Sequence, residues 1–107
     1  MKRERTKPLE KIITETEERL RELCREAGIE DLSQKDYASV WLSEFSVKKK
    51  GKEYPWVKLG GFTQEKKKVY IQGWREDLAP KELLRSIVRV YRALQHLRTA
   101  RDLLLPF

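Results

Sequence analysis

Between Lys48 and Gln72 lie two short runs whose side chains change in kind with a period of two, the repeat of a β-strand and not of a helix. In the run Tyr54 to Leu59, Tyr54, Trp56 and Lys58 fall on one side and Pro55, Val57 and Leu59 on the other. In the run Lys68 to Gln72, Lys68, Tyr70 and Gln72 share one side, and Val69 and Ile71 the other. A sheet with these two faces must bury the aliphatic one. The aromatic and basic face is then left open, which an antiparallel sheet permits. The turn residues Lys50-Gly51-Lys52 join the first of these strands to a preceding segment, residues 38–48.

That preceding segment can be read in two ways. As a strand it places Trp41, Ser43, Phe45 and Val47 on one side, and Val40, Leu42, Glu44 and Ser46 on the other. As a helix, Ser33 and Asp36 would form its capping box. The density of β-branched and aromatic residues and the following turn favour the strand.

The flanks have helical periodicity. Leu9, Ile13, Thr16, Leu20, Leu23 and Ala27 recur at spacings of four and three, and Ile12 and Cys24 widen the stripe. This predicts a helix over 8–27, with Thr6 or Lys7 as cap, Pro8 in the first turn and Gly28 as the stop. Leu84, Ile87, Val88, Tyr91, Leu94 and Leu97 predict a second helix over 79–103, capped by Asp77 or Ala79 with Pro80 in its first turn. Residues 29–36 read as a polar connector. Strands are expected over 38–48, 53–59 and 68–72, the second ended by Gly60-Gly61 and the third broken by Gly73. The 107 residues suffice for one domain and not for two. The expected fold is α+β in the order α-β-β-β-α: a three-stranded antiparallel meander with the helices packed on one face.

Charge concentrates where the open face is expected. The chain carries a formal net charge of +7. Residues 48–68 hold eight basic and two acidic side chains, whereas residues 29–47 hold one and four. Lys48, Lys49, Lys50 and Lys52 crowd the first turn, and Lys66, Lys67 and Lys68 the approach to the third strand. Such clusters repel one another until an anionic partner relieves them and releases counterions. Tyr54, Trp56 and Tyr70 between them can stack on nucleic-acid bases. The expected ligand is therefore single-stranded or structured DNA or RNA, with Lys48, Lys49, Lys50, Lys52, Lys58, Lys66 and Lys68 on phosphates. On the second helix, Arg85, Arg89, Arg92 and His96 share one face and offer a further phosphate-binding stripe. The competing expectation is a protein-binding adaptor or inhibitor, of the kind a phage or mobile element encodes, engaging an acidic protein. The apolar tail Leu103 to Phe107, or the second helix, could also pair two copies.

Several classes of chemistry lack their residues. There is one histidine, His96, and one cysteine, Cys24, so no zinc-spaced cluster and no intrachain disulfide is expected. No phosphate loop, dinucleotide fingerprint or nucleophile elbow occurs. The expectation is a non-catalytic protein with no cofactor and no metal. Cys24 reads as a small core residue in a reducing compartment. With no apolar run of membrane-spanning length and no signal-peptide pattern, a cytoplasmic, membrane-free protein is expected. Charged residues make up 38% of the chain, well above the usual quarter, a composition compatible with a thermophilic source.

The segments Glu44-Phe45-Ser46-Val47, Gly51 through Leu59, and Lys67 through Ile71, followed by a helix, resemble single-strand-binding meander domains. These are the transcriptional coactivator family with a basic β-sheet and C-terminal dimerisation helix, and the purine-rich-element binders. The resemblance covers residues 44–97 and implies single-stranded DNA or RNA on a curved sheet, with pairing through the helix. The α-β-β-β-α order also resembles double-stranded-RNA-binding domains, although that family's lysine cluster at the start of the second helix is represented here by Lys81 alone.

Overall fold

The computed structural model describes residues 2–104, and the side chains of residues 7–104. The elements are α1 (Lys2–Ala27), β1 (Ser39–Lys49), β2 (Lys52–Phe62), β3 (Lys68–Arg75), a short 3-10 turn (Glu76–Leu78) and α2 (Lys81–Leu104). The sheet is an antiparallel meander in the order β1-β2-β3, so the fold is α+β with the expected α-β-β-β-α order. Segment 38–48 resolves as strand.

One core joins all five main elements. From α1 it takes Ile13, Leu20, Leu23 and Cys24, from the sheet Val40, Val57 and Leu59, and from α2 Leu84, Ile87, Tyr91 and Leu94. Val69 and Ile71 were expected on this side; Ile71 and Trp74 pack against the core from β3. Burial pushes the Cys24 thiol above its ordinary pKa, as suits a side chain that packs rather than reacts.

α1 begins well before Pro8, which lies inside it. The helix therefore forgoes the one bond that a proline nitrogen cannot donate. Ile12 stays 47% exposed, outside the buried stripe it was expected to widen. The C-terminal end follows the expected pattern. Gly28 takes φ +71°, its N–H donates to Arg25 O, and the Ile29 N–H donates to Cys24 O, a Schellman arrangement.

The connector after α1 is more than a polar link, because Leu32 and Ser33 are fully buried. Leu32 plugs the core, which local composition did not reveal. Burial works against ionisation of Asp31, but hydrogen bonds from Ser33 and Arg21 outweigh it and hold the carboxyl below its usual range. Three side chains of α2 then fasten the connector's backbone. The Tyr91 hydroxyl accepts from the Tyr37 N–H at 2.7 Å and donates to Lys35 O at 2.8 Å. Gln95 donates to Tyr37 O and Ala38 O, and Arg98 donates to Ser33 O while pairing with Glu17 of α1 at 3.1 Å. Burial raises the Tyr91 phenol pKa. These bonds fix where β1 begins, and so fix the sheet against α2.

The glycines do not end strands as expected. β2 continues through Gly60-Gly61 to Phe62, and β3 through Gly73 to Arg75. A register shift falls between Leu59 and Gly60: Leu59 pairs with Gln72 and Gly60 with Tyr70, leaving Ile71 as an extra residue on β3. The bulge reverses the alternation, so Gln72 lies opposite buried Leu59 on the helix-covered side, away from Lys68 and Tyr70.

β1 and β2 outrun their support. β3 pairs only with Trp56–Phe62, and the start of α2 meets β1 at Glu44, where Lys81 reaches it at 3.5 Å. Beyond that point the hairpin projects as a two-stranded arm. The molecule measures 66 × 28 × 16 Å, with a radius of gyration of 16.8 Å against about 13 Å for a compact chain of this length. The arm turns at Lys50 (φ +53°) and Gly51 (φ +77°), the paired positive values of a tight I′-type hairpin turn.

Candidate functional site

Cross-strand partners share a face, so the register assigns every strand residue to one side of the sheet. The side away from the helices carries six aromatic residues: Trp41 and Phe45 from β1, Tyr54, Trp56 and Phe62 from β2, and Tyr70 from β3. Interspersed are Lys49, Lys52, Lys58, Lys68 and Arg75. No strand position on this face is acidic; Glu44 and Glu53 both register on the opposite side. Basic and aromatic side chains are thus gathered together, and strand carboxylates are kept away.

The glycines explain how the rings lie. A Cβ on Gly60 would fall 2.6 Å from the Trp41 ring, and one on Gly73 would fall 2.5 Å from both Trp56 Nε1 and Tyr70 Oη. Each glycine supplies the space into which aromatic side chains fold over the sheet. Trp41 is also tilted against Phe62 at a centroid distance of 6.1 Å. The Lys58 ammonium lies 5.4 Å from the Trp41 ring centre and 5.7 Å from that of Phe45, and the Lys68 ammonium lies 5.5 Å from Trp41. These are cation–π distances. The rings remain accessible: Tyr70 is 61% exposed and Tyr54 44%, while Trp56 is half-buried.

Along the open side of the arm, from its turn to its base, a groove of about 610 Å³ opens between Val47, Lys49, Lys50, Tyr54, Trp56 and Arg75. Its floor is apolar and its rim cationic. Arg75 is held beside Asp77 at 3.2 Å. A planar ring can lie on Trp56 or Tyr54 there while an attached anion meets the rim.

Of the thirteen expected binding residues, the structure gathers Lys49, Lys52, Tyr54, Trp56, Lys58, Lys68 and Tyr70 on this face, with Lys50 at the arm's turn. Lys66 sits apart in the β2–β3 loop at φ +66°. Lys48 is on the other side of the arm, paired with Glu53 at 3.6 Å. Arg85, Arg89 and Arg92 are exposed on α2, behind the sheet, and Arg85 is held by Glu82 at 2.6 Å. A ligand lying on the open face does not reach that stripe, so the two basic surfaces are separate.

Sequence reading did not include Trp41, Phe45, Phe62 and Arg75 in the site. Alternation in β1 already placed Trp41 with Phe45, but their partnership with β2 depends on the hairpin register. Phe62 and Arg75 were hidden by treating Gly60-Gly61 and Gly73 as strand ends.

Among the described residues, no group of three or more His, Cys, Asp or Glu side chains is arranged to hold a metal ion. None of the described helices is long and apolar enough to cross a membrane. Comparison with protein-family models, curated proteins and solved structures finds no match for this chain.

Proposed function

We propose that this is a small, non-catalytic, cytoplasmic nucleic-acid-binding protein that takes single-stranded or structured DNA or RNA on the open face of its sheet. The observation that carries this reading is the segregation across the sheet: six aromatic residues and five cations on one face, with no acidic strand residue among them. Rings at this exposure can stack on unpaired bases, while within a duplex the base faces are already stacked and unavailable. The lysines and Arg75 would neutralise phosphates on either side. The arm lengthens the track beyond the body of the protein. A second copy could pair through α2 without covering this face.

The test is binding of a fluorescent single-stranded oligonucleotide across a salt series. Five open-face cations acting on phosphates predict a slope of log affinity against log salt of roughly −3 to −4 for a single strand. The same basic, apolar face would suit an acidic protein partner. Undetectable oligonucleotide binding at low salt would overturn the nucleic-acid reading in favour of that partner.

A further inference from the structure

Trp41 Nε1 is buried and has no hydrogen-bond partner, the one such side-chain atom among the described residues. A buried N–H left unpaired costs stability and calls for an explanation. The same indole lies under two ammonium groups, those of Lys58 and Lys68. Neither lysine forms an ion pair among the described residues, so two like charges are held near one ring without a facing carboxylate. Gly60 beneath the ring and Phe62 beside it keep the indole in place. This spot therefore combines one orphaned donor with two unneutralised ammoniums and offers no acceptor to satisfy them.

We infer that Trp41 Nε1–H, Lys58 and Lys68 form a phosphate subsite that fixes one backbone phosphate of the bound strand. The inference rests on the nucleic-acid reading and deepens it. Trp56, Tyr54 and Tyr70 take bases, whereas Trp41 serves the backbone. On binding, Lys58 and Lys68 exchange the face of the indole for phosphate oxygens, and the freed indole turns its edge outward so that the N–H donates to the same group. The ligand chemistry is a phosphodiester with a neutral directional donor on one side and cations on the other. Cation–π contacts keep both lysines near the site in the free protein.

Trp41→Phe tests this, because it removes the donor and retains an aromatic ring at the position. Three quantities are measured on the full chain: affinity for a fluorescent thymidine oligonucleotide, affinity for an abasic sugar–phosphate oligomer of the same length, and unfolding midpoint. The inference predicts that affinity for both oligomers falls about five- to tenfold, as for loss of one charge-assisted hydrogen bond. The salt slope should stay unchanged because no charge is removed, and the unfolding midpoint should fall by only a few degrees, since loss of the outer indole atoms over Gly60 is partly offset by removal of an orphaned donor. The companion variants Lys58→Gln and Lys68→Gln should each reduce the magnitude of the salt slope by about one unit. Unchanged affinity in Trp41→Phe overturns the subsite while leaving the nucleic-acid reading intact. A loss confined to the thymidine oligomer also overturns it, by assigning Trp41 to a base. No binding by the unsubstituted protein would overturn both.

Discussion

Alanine at both Trp56 and Tyr70 is expected to weaken binding of a single-stranded oligonucleotide by at least about thirtyfold. Each stacked base–ring contact contributes roughly 1–3 kcal/mol, so losing two removes about 2 kcal/mol even at the low end. The two side chains meet over Gly73, where Trp56 Nε1 and Tyr70 Oη both crowd the position of a missing Cβ, so they act as one platform. Fold stability should change little, because Tyr70 is 61% exposed and neither ring belongs to the buried cluster. Fluorescence anisotropy gives the affinity and thermal unfolding gives the control. Equal affinity in the double variant and the parent would remove stacking from the account. Loss of affinity with a matching loss of fold would point to a structural role for the rings.

The opposite pattern is expected three residues along the same strand. Leu59→Ala should cost about 2–5 kcal/mol of stability, the range for truncating a fully buried leucine. Leu59 is 0% exposed and pairs with Leu42 on one side and Gln72 on the other, within the core the sheet shares with the helices. It holds the sheet on the helix layer next to the bulge. For a domain of this size that loss lowers the unfolding midpoint by roughly 10–30 °C. Urea denaturation measures it directly. A cost below about 1 kcal/mol would mean that β2 is not anchored in the core as the burial of Leu59 implies.

Trp56 and Leu59 also show how far the fold was legible. Their opposite environments follow from alternation alone, because a period of two leaves no choice once Val57 and Leu59 are the buried pair. The helices' apolar faces and the stop at Gly28 were readable too, but the start of α1 was not, because Pro8 lies inside the helix and not in its first turn. What local pattern did not disclose depends on groups distant in the chain. Gly60 and Gly73 look like strand breakers by propensity, and only the rings of Trp41, Trp56 and Tyr70 arriving over them show why glycine is placed there. The bulge at Ile71 moves Gln72 to the other face, and no feature of residues 68–72 signals a shift set by pairing with β2. Leu32 looks like an isolated apolar residue in a polar link, yet it fills the core because Tyr91, Gln95 and Arg98 tie the connector onto α2.

The candidate site was legible to a similar degree. The basic and aromatic residues of β2 and β3 announced themselves by composition and alternation. Lys48 was drawn in by adjacency to Lys49, although a one-residue step along a strand changes face, and its partner there is Glu53. Arg85, Arg89 and Arg92 do form a helical stripe, but topology puts α2 on the far side of the sheet. The tail residues Leu105, Pro106 and Phe107 lie outside the described residues, while Leu103 and Leu104 end α2 with exposed side chains.

The most direct measurement of the central claim uses the three tryptophans as position markers. Trp41 and Trp56 belong to the open face, and Trp74 packs against the core from the other side. Their indole N–H signals in a two-dimensional nitrogen–proton spectrum should separate on titration with a single-stranded oligonucleotide. The account predicts large shifts or broadening at Trp41 and Trp56 while Trp74 stays in place. Binding that moved the Trp74 signal or the α2 arginines and left the other two indoles untouched would contradict it.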